Sequence, residues 1–70
     1  MTAHLTPLEQ ELLDYLRAHE GEYVDPKRVP IIGLEKEKTV NVYVHGLRKK
    51  LGHHVISTRY GKGYRYEGEG

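Results

Sequence analysis

A narrow apolar stripe along one predicted helix constrains the fold of this chain more than any other sequence feature. Its members recur at intervals of three and four residues, a spacing that places them on one face of an α-helix. They are Val40, Val44, Leu47 and Leu51. The stripe predicts a helix over residues 38–51 that ends at Gly52, with one side packed on a core.

The other sides of this helix carry polar, cationic and small residues. At about 100° per residue, the face opposite the stripe comprises Lys38, Val42, His45, Gly46 and Lys49. Thr39, Tyr43 and Lys50 lie on one flank, and Asn41 and Arg48 on the other. The sequence therefore predicts a two-sided helix, apolar inside and hydrogen-bonding outside.

A first helix is predicted to begin at Thr6, because a threonine N-cap, a proline at the next position and Glu9 form a capping box. The core side of this helix is predicted to comprise Leu5, Leu8, Leu12, Leu13, Tyr15 and Leu16, ahead of Gly21. Its acids, Glu9, Glu11 and Asp14, are expected on a solvated face.

A second helix is predicted after Asp25-Pro26, with Val29 and Ile32 as core residues. Pro30 lacks an N–H and its ring opposes continuation, so this helix should be short or distorted.

Residues 22–24 favour a short strand. Residues 55–67 favour a β-hairpin around the glycine-bearing turn at 60–63.

These elements predict one α+β domain over residues 1–70: a winged helix-turn-helix with three helices, a C-terminal hairpin wing and a short extra strand. Seventy residues that are 37% hydrophobic leave too few core positions to enclose a deep substrate cavity as well. We therefore expect neither an enzyme nor a small-molecule substrate. The absence of cysteine and of a long apolar run favours a cytoplasmic protein without a membrane partner.

The net charge of +1 hides a strong asymmetry along the chain. Residues 1–37 hold eight acids and four cations, whereas residues 38–66 hold seven cations and no acid. A long acid-free cationic stretch is typical of a polyanion-binding surface, although a solvated basic face would show the same pattern.

A DNA major groove admits one α-helix, and its base edges offer hydrogen-bonding groups and thymine methyls. The predicted helix 38–51 presents Val42 for a methyl, and donors for base edges or phosphates. The hairpin turn adds exposed cations suited to a narrow minor groove. The predicted DNA-binding residues are Lys38, Thr39, Asn41, Val42, Tyr43, His45, Gly46, Arg48, Lys49, Thr58, Arg59, Tyr60, Lys62 and Tyr64.

Structural explanations compete at several of these positions. Gly46 is either a site of close approach to DNA or only a tolerated helix glycine, and Arg48 and its neighbours also suit the helix dipole. Tyr64 and Tyr66 are expected to include at least one core residue. The histidines lack carboxylates at ligand spacing, so we expect no metal and no cofactor.

Three segments together resemble the effector domain of OmpR/PhoB-type response regulators. They are LTPLEQELL (5–13), TVNVYVHGLRKKLG (39–52) and ISTRYGKGYRY (56–66). The resemblance covers residues 5–66. It implies a transcription regulator with its recognition helix in the major groove and its wing, residues 58–64, in the adjacent minor groove of double-stranded DNA.

Matched position by position, the resemblance implies DNA contacts at Lys38, Thr39, Val42, Tyr43, His45, Gly46, Arg48, Thr58, Tyr60 and Tyr64. The chain departs from the family at the helix centre, where His45-Gly46 replaces a frequent arginine pair and Tyr43 a frequent histidine. Tyr60 stands where the wing arginine is usual. The family's base preference therefore does not transfer to this chain.

Relatives usually carry a receiver domain and a four-stranded sheet before the first helix, and this chain begins almost at that helix. We therefore expect a standalone DNA-binding regulator, with a homodimer on DNA and RNA polymerase as further partners to consider. The shortened loop near Pro30 is where relatives can touch the polymerase. Two alternatives stay open: a winged-helix protein-interaction module, and a DNA binder without sequence preference.

Overall fold

The computed structural model describes residues 4–68. Helix α1 (Pro7–Ala18) is followed by a 3₁₀ turn (Pro26–Arg28) and helix α2 (Glu37–Leu51). A second 3₁₀ turn (His53–Val55) leads into an antiparallel hairpin of strands β1 (Ile56–Arg59) and β2 (Gly63–Tyr66). The order of elements is that of a winged helix, with a hairpin wing after the long helix.

Helix α1 begins with the predicted capping box. The Thr6 hydroxyl accepts a hydrogen bond from the Glu9 N–H at 3.3 Å, and the Glu9 carboxylate accepts one from the Thr6 N–H at 2.9 Å. Two N–H groups at the start of the helix are thereby satisfied. The predicted start at Pro7 is confirmed.

The predicted second helix is present only as a 3₁₀ turn, in keeping with the expectation that Pro30 makes it short or distorted, but it is not an α-helix. Asp25 caps the segment by accepting from the Lys27 N–H at 2.9 Å, but only a three-residue 3₁₀ turn follows. Pro30 stops further helix, and the chain then runs irregularly to α2. Val29 is buried as expected, whereas Ile32 is 90% exposed and is not a core residue. Residues 4–68 thus contain two α-helices where three were expected.

One hydrophobic cluster joins both helices to the hairpin. Along α2, Val40, Val44 and Leu47 are buried and Leu51 is half-buried, which confirms the predicted apolar stripe. The other buried members are Leu12, Leu13, Leu16, Val24, Val29, Leu34, Val55, Ile56 and Tyr66. No helix among residues 4–68 is long and apolar enough to cross a membrane.

The predicted extra strand is reduced to a single β-bridge. Val24 exchanges two backbone hydrogen bonds with Tyr64, at 2.6 and 3.0 Å, on the outer edge of β2. Gly63 permits this approach: its φ is 115°, and a Cβ there would overlap the Val24 carbonyl oxygen. The segment before the 3₁₀ turn is therefore attached to the base of the wing.

Glu9 is buried, which corrects the expectation that it lies on a solvated face. Its carboxylate receives a hydrogen bond from Lys50 of α2, with Nζ and Oε1 2.6 Å apart. A Cβ at Gly46 would lie 2.7 Å from Glu9 Oε2. The glycine thus leaves room for the carboxylate that links the two helices.

The contact between Gly46 and Glu9 predicts a reversal in the effect of one substitution. Gly46→Ala should gain about 1 kcal/mol of helix propensity where the site is empty. In the native chain the new methyl displaces the Glu9 carboxylate from Lys50, so the same change should lower the free energy of unfolding. We expect stabilisation only in a Glu9→Ala background, measured by urea denaturation of the four proteins. An equal effect of Gly46→Ala in the native and the Glu9→Ala proteins would contradict the contact between Gly46 and Glu9.

The Glu9 carboxylate also predicts a pH dependence of stability. Burial raises its pKa, but the hydrogen bonds from Lys50 and Thr6 and the lysine charge outweigh burial and hold the pKa below its usual value. A lowered folded-state pKa stabilises the fold above the unfolded pKa of about 4.3, and this contribution is lost as pH falls through the folded pKa.

Glu9→Gln should therefore be less stable than the native chain at neutral pH, and the difference should shrink in acid. Urea denaturation of both proteins at pH 7 and pH 3 measures it, with Glu11→Gln on the exposed side of α1 as the matched control. A difference that stayed constant between the two pH values would count against the ion pair.

Candidate nucleic-acid interface

The face of α2 opposite the core is open to solvent. Lys38, Val42, His45 and Lys49 are all exposed, Val42 by 65% of its surface. An aliphatic side chain this exposed at a helix centre is surrounded here by hydrogen-bonding groups. This combination matches the mixed donor and methyl pattern of a major groove.

Gly46 does not belong to this outward face, which corrects its predicted placement. It is half-buried and turned toward Glu9, because α1 packs against that side of α2. The structural reason for the glycine is therefore the room it leaves for a carboxylate. Contact between DNA and the backbone of Gly46 remains a prediction.

Arg48 connects α2 to the wing. Its Nε and one terminal nitrogen donate to the Ile56 carbonyl oxygen at 3.1 and 2.8 Å, and the same terminal nitrogen also donates to the Thr58 hydroxyl. The guanidinium lies 5.7 Å from the centre of the Tyr64 ring. Although predicted as a DNA contact, Arg48 uses several of its donors within the fold.

A second polar contact joins the same two elements. The Tyr64 hydroxyl donates to the Asn41 Oδ1 atom at 2.6 Å. Burial raises the pKa of this hydroxyl, although the Arg48 charge opposes that shift, so the group stays protonated. Asn41 is exposed and Tyr64 half-buried, so the contact lies at the mouth of the junction between helix and wing.

The residues at the tip of the wing are exposed. Arg59, Tyr60 and Lys62 project around Gly61, which has a φ of 79°. Tyr60 has no covered surface. Tyr66, in contrast, is buried, which confirms that one of the two β2 tyrosines is a core residue.

A cleft of about 270 Å³ separates the wing from the N-terminal half of α2. Lys27, from the 3₁₀ turn, lines it together with Lys62 and Thr58. Sequence reasoning missed Lys27, because it lies in the acidic half of the chain. The bridge between Val24 and Tyr64 attaches that segment to the wing, and a one-residue bridge leaves no periodic signal.

The remaining predicted residues lie at the margins of this surface. Thr39 and Tyr43 are half-buried on a flank of α2, and Tyr43 packs against the core. Thr58 is exposed on β1. No group of three potential metal ligands comes together among residues 4–68.

The cations of residues 38–66 fall into two sets. Arg48, Lys50 and Arg65 make contacts within the fold, Arg65 to Glu67 at 2.6 Å and Lys50 to Glu9. The other set is exposed and makes no ion pair within residues 4–68: Lys38, Lys49, Arg59 and Lys62. Only the second set lies on the outward face of α2 and the wing tip.

A family model described as "Transcriptional regulatory protein, C terminal" matches residues 1–66. The chain belongs to this family of DNA-binding domains of transcriptional regulators, and its members' role is binding rather than catalysis. The resemblance to OmpR/PhoB-type effector domains is thereby confirmed.

Two curated relatives are each named response regulator SaeR, from two strains of Staphylococcus epidermidis. Each is 38% identical over 69 residues, an alignment that covers 84% of this chain. The chain spans 30% of the length of these relatives. No solved structure matches significantly.

The Arg48 contacts predict a structural effect that is separate from DNA binding. Arg48→Ala removes the donors to Ile56 and Thr58, and should lower the free energy of unfolding by about 1–3 kcal/mol. Backbone amides of the hairpin should exchange faster with deuterated solvent. Lys49→Ala, one residue along on the exposed face, is the control and should change stability by less than about 0.5 kcal/mol. Equal effects of the two substitutions would contradict a structural role of Arg48.

Proposed function

We propose that the chain is a sequence-specific regulator that binds double-stranded DNA, with α2 in the major groove and the wing in the adjacent minor groove. One observation carries the proposal. The exposed Val42 and the four exposed cations that make no ion pair with any residue from 4 to 68 lie on the outward side of α2 and at the wing tip.

The charge distribution supports this proposal beyond the family relationship. Cations that make no ion pair remain available to neutralise phosphates, and their contribution weakens as salt rises. Lys50 and Arg65 are neutralised by their own carboxylates, so they add little to that attraction. The binding surface is thus smaller than the cationic stretch of sequence.

The arrangement of helix and wing supports simultaneous contact with two grooves. One phosphate strand separates a major groove from the adjacent minor groove, and it would cross the cleft between α2 and the wing. Lys27, Thr58 and Lys62 line that cleft, and the carboxylates of Asp25 and Glu37 lie along it as well. We propose Lys27 as a phosphate contact in addition to the predicted DNA-binding residues.

Among the predicted residues, the roles divide by position. Base contacts are proposed for the outward residues of α2, which are Lys38, Val42, His45 and Lys49, and for Asn41 on the flank toward the wing. Minor-groove contacts are proposed for Arg59, Tyr60 and Lys62. Thr39, Tyr43, Gly46, Arg48, Thr58 and Tyr64 are proposed as marginal contacts whose first role is structural.

Selection of duplexes from a random pool by the whole chain tests the proposal. We expect enrichment of a defined site, and half-sites spaced near one helical turn if two copies bind together. Fluorescence anisotropy then compares the enriched duplex with random duplexes. Equal affinity for both would contradict sequence-specific binding and favour a binder without preference.

A charge-matched pair of variants tests which side of the chain meets DNA. Lys49→Gln and Gln10→Glu each make the net charge more negative by one, the first on the outward face of α2 and the second on exposed α1. Only Lys49→Gln should weaken binding by about tenfold and reduce the dependence of log K on log salt by about one. Equal losses in anisotropy titrations would show that net charge alone controls binding.

One observation favours a second function, a protein-interaction module that acts on RNA polymerase or another regulator. Ile32 is 90% exposed beside exposed Pro30 and half-buried Ile31, so the loop before α2 presents apolar surface. Ile32→Ser should then abolish binding to purified bacterial RNA polymerase in sedimentation and leave DNA affinity unchanged. Polymerase binding that ignored the substitution would count against this loop as the contact.

A further inference from the structure

Asn41 is held by the wing in one orientation of its carboxamide. Its Oδ1 atom accepts the Tyr64 hydroxyl at 2.6 Å, and the residue itself is exposed in the second turn of α2. The side-chain nitrogen, on the other branch of the amide, is left for an external partner. Residues in the first turns of a recognition helix are those that contact base edges.

The direction of this hydrogen bond decides what Asn41 offers to DNA. The Tyr64 hydroxyl is the donor here, and the Arg48 guanidinium lies 5.7 Å from its ring centre. Arg48 is in turn fixed by the Ile56 carbonyl oxygen. Tyr64, Arg48 and Ile56 thus together fix the side-chain amide of Asn41.

Asparagine ordinarily reads adenine through both ends of its amide: the nitrogen donates to N7 and the oxygen accepts from the N6 amino group. With one lone pair of Oδ1 accepting from Tyr64, Asn41 keeps both N–H donors and only one lone pair for an external partner. Guanine presents two acceptors, N7 and O6, on its major-groove edge. Its edge therefore matches the donors that remain.

We infer that Asn41 is a specificity-determining residue that selects guanine over adenine, because the Tyr64 hydroxyl of the wing already donates to its acceptor oxygen and leaves both N–H donors free. The inference rests on the proposed binding of α2 in a major groove. It gives the wing a role in base selection that acts through Asn41.

Three variants of the whole chain test this inference in the random-pool selection, each compared with the native chain at every position of the enriched site. Asn41→Ala should flatten a guanine preference of about tenfold at one base pair. Tyr64→Phe releases Oδ1 but keeps the ring beneath Arg48, so adenine should rise relative to guanine at that base pair. Asn41→Asp replaces the donors with an acceptor, so cytosine, which presents an amino donor, should replace guanine there.

The readout is the ratio between bases at one position, which a general loss of folding or affinity does not alter. Thermal unfolding followed by circular dichroism confirms that each variant is folded. A native site in which Asn41→Ala changes no position, or changes a position that prefers adenine, would overturn the inference and leave the proposed function intact. Failure of the native chain to enrich any site would instead overturn the proposed function, and the inference with it.

Discussion

The packing of α2 against the core determines what the rest of the molecule can present to a partner. Burial of Val40, Val44 and Leu47 fixes the rotation of the helix about its own axis. Each further contact then occupies another side: Lys50 reaches α1, and Arg48 reaches the wing. The side that remains is the one with Lys38, Val42, His45 and Lys49. The outward surface is thus the part of α2 that the core, α1 and the wing leave uncovered.

Periodicity and capping made much of this fold predictable. The stripe along α2, the capping box at Thr6 and the turn at 60–63 are local signals whose physics acts within a few residues, and the structure has all three. The shortening of the second helix to a 3₁₀ turn is also local in origin. Asp25-Pro26 is a good helix start, but a proline four residues later prevents the helix from continuing, so Ile32 has no helical face to occupy.

The tertiary contacts of charged residues were not predictable in this way. Glu9 has the sequence context of an exposed acid, and only the approach of Gly46 and Lys50 from α2 buries it. Arg48 has the sequence context of a phosphate contact, and only the position of β1 gives it carbonyl and hydroxyl partners. A cation count along the chain cannot separate such residues from available ones, because pairing is decided by residues about ten to forty positions away.

The attachment of Val24 to β2 has a consequence for solubility. A two-stranded hairpin leaves unpaired backbone groups along its outer edges, and such edges can pair with another chain and start aggregation. Here the outer edge of β2 is occupied at its centre by Val24, and Gly63 is the residue that lets that backbone come close enough. The glycine is thus a safeguard against self-association as well as a turn residue. An exposed hairpin with this edge occupied is less able to pair with the hairpin of a neighbouring molecule.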